Sequence, residues 1–301
     1  MTIIADSGST KTTWMEVESG NKVVTEGLNP HFTSDEAFLA ACAAVRNNFQ
    51  LSCLLSQALS TAESNLIQRK TFNFQLFFYG AGCGNASQRE RVERLLSAGF
   101  CAAEVHVETD MLGACRAVSG GRPSLVAILG TGSNACYYDG LRIACQPVST
   151  GFILGDQGSA NHVGRILLND YLTHRMPEEI RSMFHDSYPM SDDKLIDAVY
   201  HQPTPNRFLA SLAPFAVHRQ EADYCRSVIE EALYDWRHGM LATLQEQSGI
   251  SGEQLNLVGG FAKAIEPTLR SFMSSDELTV GTVMADPIEG LRQYHLGQQP
   301  S

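Results

Sequence analysis

The chain has 301 residues, of which 44% are apolar and 18% charged, and its net charge is −11. That much apolar material excludes general disorder and is enough for one or two cores, at roughly 150 residues per domain. The acidic balance, with no basic patch or stripe, excludes the usual footprint of a nucleic-acid binder. It leaves phosphate ligands open, because backbone amides and a divalent cation can hold them.

In chain order, Thr2 to Asp6 and Thr12 to Val17 read as strands, joined by the small-residue turn Ser7-Gly8-Ser9-Thr10-Lys11. Lys22 to Glu26 is a third strand, and a helical pattern covers Asp35 to Asn48. Residues 49–70 also read as helical. The aromatic strand Phe74 to Tyr79 ends in Gly80-Ala81-Gly82-Cys83-Gly84, and a helix follows over Ser87 to Ser97. Glu104 to Glu108 is a strand, after which a helix begins at Asp110.

A second block repeats the opening of the first. The buried strand Leu125 to Leu129 meets Gly130-Thr131-Gly132-Ser133-Asn134 and returns as Ala135 to Tyr138. Asp139-Gly140 then makes a hairpin turn into Arg142 to Gln146. Gly155-Asp156-Gln157-Gly158-Ser159-Ala160 is expected to open a helix, and the chain is mostly helical after it. In the longest helix Cys225, Ile229, Ala232, Trp236 and Met240 recur at helical spacing, which marks a core stripe, with Gly249 just past the end. Leu255 to Val258 reads as the last strand, ending in Gly259-Gly260 before a helix. Twice, then, a strand reaches a turn of small residues and doubles back. Such residues let backbone approach a ligand and expose amide N–H groups. Two such hairpins, one in each half, predict two similar domains.

Several function classes drop out. There is no GxxxxGK[ST], no GxSxG and no HExxH, and the glycines at 80, 82 and 84 lack full GxGxxG spacing. The eight cysteines include no CxxC pair and mostly sit in apolar runs, where a thiol behaves as a small hydrophobe. With no basic leader and no apolar stretch near the ~20 residues of a membrane span, a cytoplasmic protein with reduced thiols is expected.

Asp6-Ser7-Gly8-Ser9-Thr10-Lys11-Thr12 resembles the first phosphate loop of the actin–hexokinase superfamily of ATP-dependent kinases, and Gly130-Thr131-Gly132-Ser133 resembles its second. Gly155-Asp156-Gln157-Gly158-Ser159-Ala160 resembles the GDEGSA motif of the N-acetylglucosamine kinases, which share a family with the BadF/BadG/BcrA/BcrD-type ATPases. Gly259-Gly260 resembles the glycine pair that passes adenosine, and Pro287-Ile288-Glu289-Gly290-Leu291 the start of the C-terminal helix. The matches run in the family's order.

The resemblance implies an α/β fold of two ribonuclease-H-like (actin-like ATPase) domains around a central nucleotide cleft. One would span residues 1–114, with the helix of residues 287–301 packing back on it. The other would span 115–286 and carry a helical insertion. It implies ATP and Mg²⁺ as cofactors, a small-molecule sugar as partner, no nucleic acid or membrane, and a homodimer by analogy.

The same resemblance assigns roles. Asp6 would hold Mg²⁺; as an ordinary residue it would be an Asx-turn cap. Gly8, Ser9, Thr10 and Thr12 would offer amides and hydroxyls to phosphate, with Lys11 either beside them or a solvated turn lysine. Gly130, Thr131, Gly132 and Ser133 would form the second phosphate loop, and Gly259 and Gly260 would meet adenosine or merely turn a strand into a helix. Asp110 would be the catalytic base that takes the proton of the sugar 6-hydroxyl; the plain alternative is a helix N-cap. Asn29, Gly82, Thr131 and Asp156 would line the sugar, Asn29 otherwise being a turn residue before proline and Asp156 an N-cap. The sequence departs from the family at Ser149-Thr150, where a Gly-Trp pair is usual, which removes an aromatic surface from the sugar side. An ATPase activator of a reductase or dehydratase, and a non-catalytic sugar sensor, are the competing readings of the same fold.

Overall fold

The computed structural model describes residues 1–49, 74–100, 104–250 and 254–297. All but the first residue of the helical segment expected over 49–70 lies outside them. The chain forms two compact units, one of Met1–Ala117 with Pro287–Ser301 and one of Val118–Asp286.

In the first unit, β1 (Thr2–Ser7), β2 (Lys11–Glu16), β3 (Lys22–Glu26), β4 (Gln75–Gly80) and β5 (Glu104–Thr109) form one sheet, ordered β3-β2-β1-β4-β5. β1, β2 and β3 are an antiparallel meander, whereas β4 and β5 add in parallel. The parallel pairs require crossovers, which carry helices α1 (Asp35–Asn48) and α2 (Ala86–Phe100). Alternation along β1 divides its side chains between two cores. Ile3 and Ala5 join Trp14, Phe38, Phe78 and Phe100. Ile4 joins Met15, Val17 and Tyr79 on the other face. Ser34 caps α1 by accepting the Ala37 N–H. Helix α3 (Asp110–Ser119) follows β5 directly.

The second unit repeats this plan. β6 (Ser124–Leu129), β7 (Ser133–Tyr138) and β8 (Ile143–Cys145) form the meander; β9 (Gln254–Val258) and β10 (Thr279–Met284) add in parallel, giving the order β10-β9-β6-β7-β8. The two sheets are therefore the same topology written twice.

Between β8 and β9 run α4 (Gly151–Leu154), α5 (Ala160–Leu172), α6 (Glu178–Ser187), α7 (Asp192–Tyr200), α8 (Pro205–Leu212), α9 (Pro214–Val217), α10 (Asp223–Trp236) and α11 (Ala242–Ser248). α12 (Gly260–Ala264) and α13 (Glu266–Phe272) lie between β9 and β10. Their apolar faces share one large core with the sheet, in which the stripe Cys225, Ile229, Ala232 and Trp236 is buried. The final helix, α14 (Ile288–Gly297), belongs to the first unit, where Ile288 and Leu291 cover Ile4, Met15 and Val17. Arg292 clamps it by donating to the Val17 carbonyl at 2.7 Å.

Three local expectations need correction. The last strand is β10, not the strand ending at Val258: Gly281 sits in it at a register shift, and this irregular edge segment shows little apolar alternation. The long helix is not continuous, because Arg237–Leu241 widens into a π-helical turn between α10 and α11. Gly155 and Asp156 do not open α5; the helix begins at Ala160, capped by the Ser159 hydroxyl, which accepts the His162 N–H.

Candidate functional site

Strand register puts most of the predicted residues of each unit at one sheet edge. In the first unit Ser7 pairs with Gly80 and Gly80 with Thr109, so the C-terminal ends of β1, β4 and β5 lie in a row. Asp6, the turn after Ser7, the Gly80–Gly84 turn and Asp110 all sit at that row. Ligands of parallel α/β sheets bind outside the carboxyl ends of the strands, where helix N-termini also point.

The β1–β2 turn is built inside out. The Ser7 and Thr12 hydroxyls are fully buried, 2.8 Å apart. Both accept the Leu28 N–H, and Thr12 Oγ1 donates to the Glu26 carbonyl. The Gly27 N–H reaches the Thr10 carbonyl at 3.1 Å, and the Gly8 N–H the Lys11 carbonyl at 3.0 Å. Thr12 thus holds the turn from below, and Thr10 and Lys11 occupy its exposed side. Asn29 is buried beyond this anchor, its Oδ1 accepting the His31 N–H at 3.0 Å. A Cβ on Gly82 would stand 2.5 Å from that Oδ1, so Asn29 and Gly82 are adjacent.

Asp110 is the first residue of α3. The cap is Thr109, whose Oγ1 accepts the Leu112 N–H at 3.2 Å, which corrects the N-cap alternative for Asp110. The half-buried Asp110 carboxylate accepts the adjacent Met111 N–H at 2.9 Å. Burial drives its proton affinity up from the ordinary aspartate value of 3.8, and the Met111 N–H opposes that in part. It is a carboxylate kept basic at a helix N-terminus. Beneath it, Gly113 packs on the ring of Tyr79. The Tyr79 hydroxyl takes the Arg116 guanidinium at 2.8 Å and lies 2.9 Å from His295 Nε2 on α14.

In the second unit Ile128 pairs with Val258 and Val258 with Met284, and the β6–β7 turn and Gly259 sit at this edge. Gly259 has φ +135°, and a Cβ there would strike the Leu129 carbonyl, so only glycine passes. The turn Gly130–Ser133 is stitched to the start of α5. Ala160 N–H donates to the Gly130 carbonyl at 3.0 Å and Asn161 N–H to the Thr131 carbonyl at 3.1 Å. These are N–H groups that a helix N-terminus leaves without intrahelical partners. The N–H groups of Thr131 and Gly132 have no partner among the described residues.

Asp156 stands over this turn in the left-handed region, at φ +56°. Its Oδ1 accepts the Ser133 N–H at 3.1 Å and its Oδ2 the Asn161 Nδ2 at 2.8 Å. Asn161 escaped the sequence reading; the available signal was a polar pair, Asn161-His162, on what becomes the buried start of α5. His162 Nδ1 accepts the Gly158 N–H at 3.2 Å, and its burial lowers its pKa to about 4.

This fold is shared with solved structures. A candidate N-acetylglucosamine kinase from Porphyromonas gingivalis is 31% identical, with 99% of each chain covered and a TM-score of 0.82. The chain belongs to the N-acetylglucosamine kinase family. A second candidate N-acetylglucosamine kinase, from Chromobacterium violaceum, shares the fold at a TM-score of 0.71 and 16% identity, over 97% of this chain and 98% of that one. So does a ROK-family glucokinase from Streptomyces griseus, solved with glucose and AMPPNP, at 0.50 and 16% over 97% of both chains. No protein-family model matches the sequence, and no curated protein does.

The family's actin-like fold accounts for the duplicated sheet. No cluster of three or more His, Cys, Asp or Glu side chains that could hold a metal ion occurs among the described residues. A lone carboxylate still fits Mg²⁺, which takes one or two carboxylates and completes its shell with phosphate oxygens and water; Asp6 is a carboxylate at the C-terminal end of β1. No helix among the described residues is long and apolar enough to cross a membrane.

Proposed function

We propose that this protein is an ATP-dependent sugar kinase that phosphorylates the 6-hydroxyl of an amino sugar, with N-acetylglucosamine as its substrate. The observation that carries the reading is Asp110: a half-buried carboxylate of raised proton affinity, at the strand edge that also holds Asp6 and the Ser7–Lys11 turn. Phosphoryl transfer asks little covalent chemistry of a protein. It asks for positioning, charge stabilisation and one base for the attacking hydroxyl. Asp110 accepts that proton, and burial makes it a stronger base than a solvated aspartate.

The remaining residues divide by chemistry. The turn of Gly8, Ser9, Thr10 and Lys11 and the turn of Gly130 to Ser133 direct N–H and hydroxyl groups at phosphate oxygens. Thr12 supports the first turn from within, given its buried and committed hydroxyl. Asp6 would hold Mg²⁺, which when bound neutralises charge on the phosphates. Gly259 and Gly260 give adenosine a surface without side chains. Asn29 and Gly82, being adjacent, form the sugar-facing pair. The likeness to the glucokinase solved with glucose and AMPPNP supports the nucleotide part of this reading. The activator reading would need cysteines available to a cluster, yet Cys83 and Cys115 are fully buried and the Cys83 thiol is pushed up to about 12.

The test is a panel of N-acetylglucosamine, related amino sugars and glucose with Mg²⁺–ATP, following ADP release and product mass. A 6-phosphate of N-acetylglucosamine is expected. Nucleotide binding with no phosphorylated sugar across the panel would contradict the kinase reading.

A further inference from the structure

We propose that Tyr79 is a positioning residue for Asp110: its hydroxyl, held between Arg116 and His295, fixes α3 and with it the carboxylate at the first position of that helix. The proposal rests on the kinase reading of this site. Asp110 is the first residue of α3, so its carboxylate goes where the helix goes. Asp110, Gly113 and Arg116 recur every three residues and share one face of α3. On that face a Cβ at Gly113 would stand 2.9 Å from both Cβ and Cγ of Tyr79, so the first turn of the helix lies directly on the tyrosine. One turn further on, the Arg116 guanidinium donates to the Tyr79 hydroxyl at 2.8 Å, with its Cζ 5.6 Å from the ring centroid. Tyr79 therefore meets α3 at two successive turns.

The hydroxyl is the centre of a directional chain. Tyr79 is fully buried, so its hydroxyl needs partners within the protein. Arg116 donates to the oxygen, and the hydroxyl proton goes to His295 Nε2, 2.9 Å away on α14. His295 can accept it: burial first, then Arg116 and His106 nearby, lower its pKa to about 4 and keep the ring neutral. Packing holds both ends of the chain. The Phe77 ring centroid lies 4.3 Å from that of His295, and Arg116 Cζ lies 5.2 Å from the Tyr294 centroid. Polar groups placed in such a layer cost free energy unless they bond one another. What the chain adds over an apolar filling is direction. Apolar burial alone lets a helix slide or turn, whereas a fully bonded buried network specifies one arrangement. The chain ties α3 to β4 and α14, through residues 37 and 216 positions from Tyr79. A displacement of about 1 Å at a reacting group can cost about 10²-fold in rate, so fixing the start of α3 is fixing the base.

The experiment is steady-state kinetics with the sugar and Mg²⁺–ATP, with Mg²⁺–AMPPNP affinity by calorimetry, on full-length variants shown by circular dichroism to be folded at the assay temperature. Tyr79→Phe keeps the ring under Gly113 and removes the hydroxyl. It is expected to lower kcat about tenfold and to leave the sugar KM and the nucleotide affinity within about threefold of wild type. His295→Leu is expected to do the same, and the double variant to be no worse than either single one, because both break one link. His295→Gln, whose side-chain oxygen can accept the hydroxyl proton, is expected to hold kcat within about threefold of wild type. A brace that only stabilises the fold would show in the melting temperature and leave kcat unchanged. Wild-type kcat in Tyr79→Phe, or equal kcat losses in His295→Gln and His295→Leu, would overturn the proposal and leave the kinase reading standing. Should Tyr79→Phe fail to fold, the His295 pair decides. A wild-type protein that phosphorylates no sugar would overturn the kinase reading and the proposal with it.

Discussion

In the first unit the turn between β1 and β2 is held by hydroxyls: Ser7 and Thr12, fully buried, bond each other, the Leu28 N–H and the Glu26 carbonyl. In the second unit the turn between β6 and β7 occupies the same place in the same strand order, yet a carboxylate and a helix N-terminus hold it. A neutral brace inside the core makes a rigid turn that is indifferent to charge. An anionic brace at the surface places a full charge against the loop that would meet phosphate. The same device, repeated, has thus been set by two chemistries. The first unit adds Asp110, the proton acceptor of the proposed reaction, and the second adds the glycine at Gly259 that passes the Leu129 carbonyl.

The largest effect expected to sharpen this contrast is at Asp110. Asp110→Asn should lower turnover about 10²–10⁴-fold and leave Mg²⁺–AMPPNP affinity unchanged, because the proton chemistry belongs to the first unit alone. It should also raise thermal stability at neutral pH. The folded-state pKa of Asp110 lies above its ordinary value, so this group's opposition to folding grows as pH rises above 3.8 and is complete once pH exceeds the raised pKa. The stability gain should vanish as pH falls below the ordinary value of 3.8. Equal melting temperatures of the two proteins at pH 7 would break this part of the account.

Next comes Gly259→Ala. A side chain at φ +135° against the Leu129 carbonyl should cost about 2–4 kcal/mol in urea unfolding. The comparison also extends to acid. His295 in the first unit and His162 in the second are both buried with pKa lowered to about 4. Burial is the main cause in each. Arg116 and His106 add to it at His295; at His162 Arg165 adds and Asp235 opposes. A depressed histidine contributes stability that is complete above pH 6.5 and is lost as pH falls toward 4, on the order of 3 kcal/mol for each group. His295→Gln and His162→Gln should each flatten that acid slope, and an unchanged slope in either would remove that histidine from the account. Thr12→Val is expected to be mildest: about 1 kcal/mol of lost stability from the Leu28 and Glu26 groups left short of a partner, with nucleotide affinity within about threefold of wild type. A tenfold loss there would mean that the hydroxyl reaches phosphate, and would erase the distinction between the two turns.

Both turns were legible in the sequence because strand–turn–strand with small residues is a local pattern. The duplicated meander followed from it. What was not legible depended on which way a side chain faces across tertiary space. Thr10 and Thr12 are alike in sequence, yet the first is exposed and the second buried and committed. Asp156 reads as a sugar ligand or, plainly, as a helix cap; the left-handed backbone at Asp156 and Gly158 defers the helix to Ala160, with Ser159 as its cap, and the Asp156 carboxylate reaches back to the Ser133 N–H. β10 escaped notice because Gly281 interrupts an edge strand, where one side needs no apolar residues. Asn161 could only be valued once its neighbours Thr131 and Asp156, 30 and 5 residues away, were seen around it.

The measurement that tests the central claim most directly is phosphorus NMR of N-acetylglucosamine incubated with Mg²⁺–ATP and either the wild-type protein or Asp110→Asn. The account predicts a phosphomonoester at carbon 6 with the wild type and, over the same time, almost none with the variant, although both bind Mg²⁺–AMPPNP equally. Wild-type rates from Asp110→Asn would contradict Asp110 as the base, and no sugar phosphate from the wild type would contradict the activity itself.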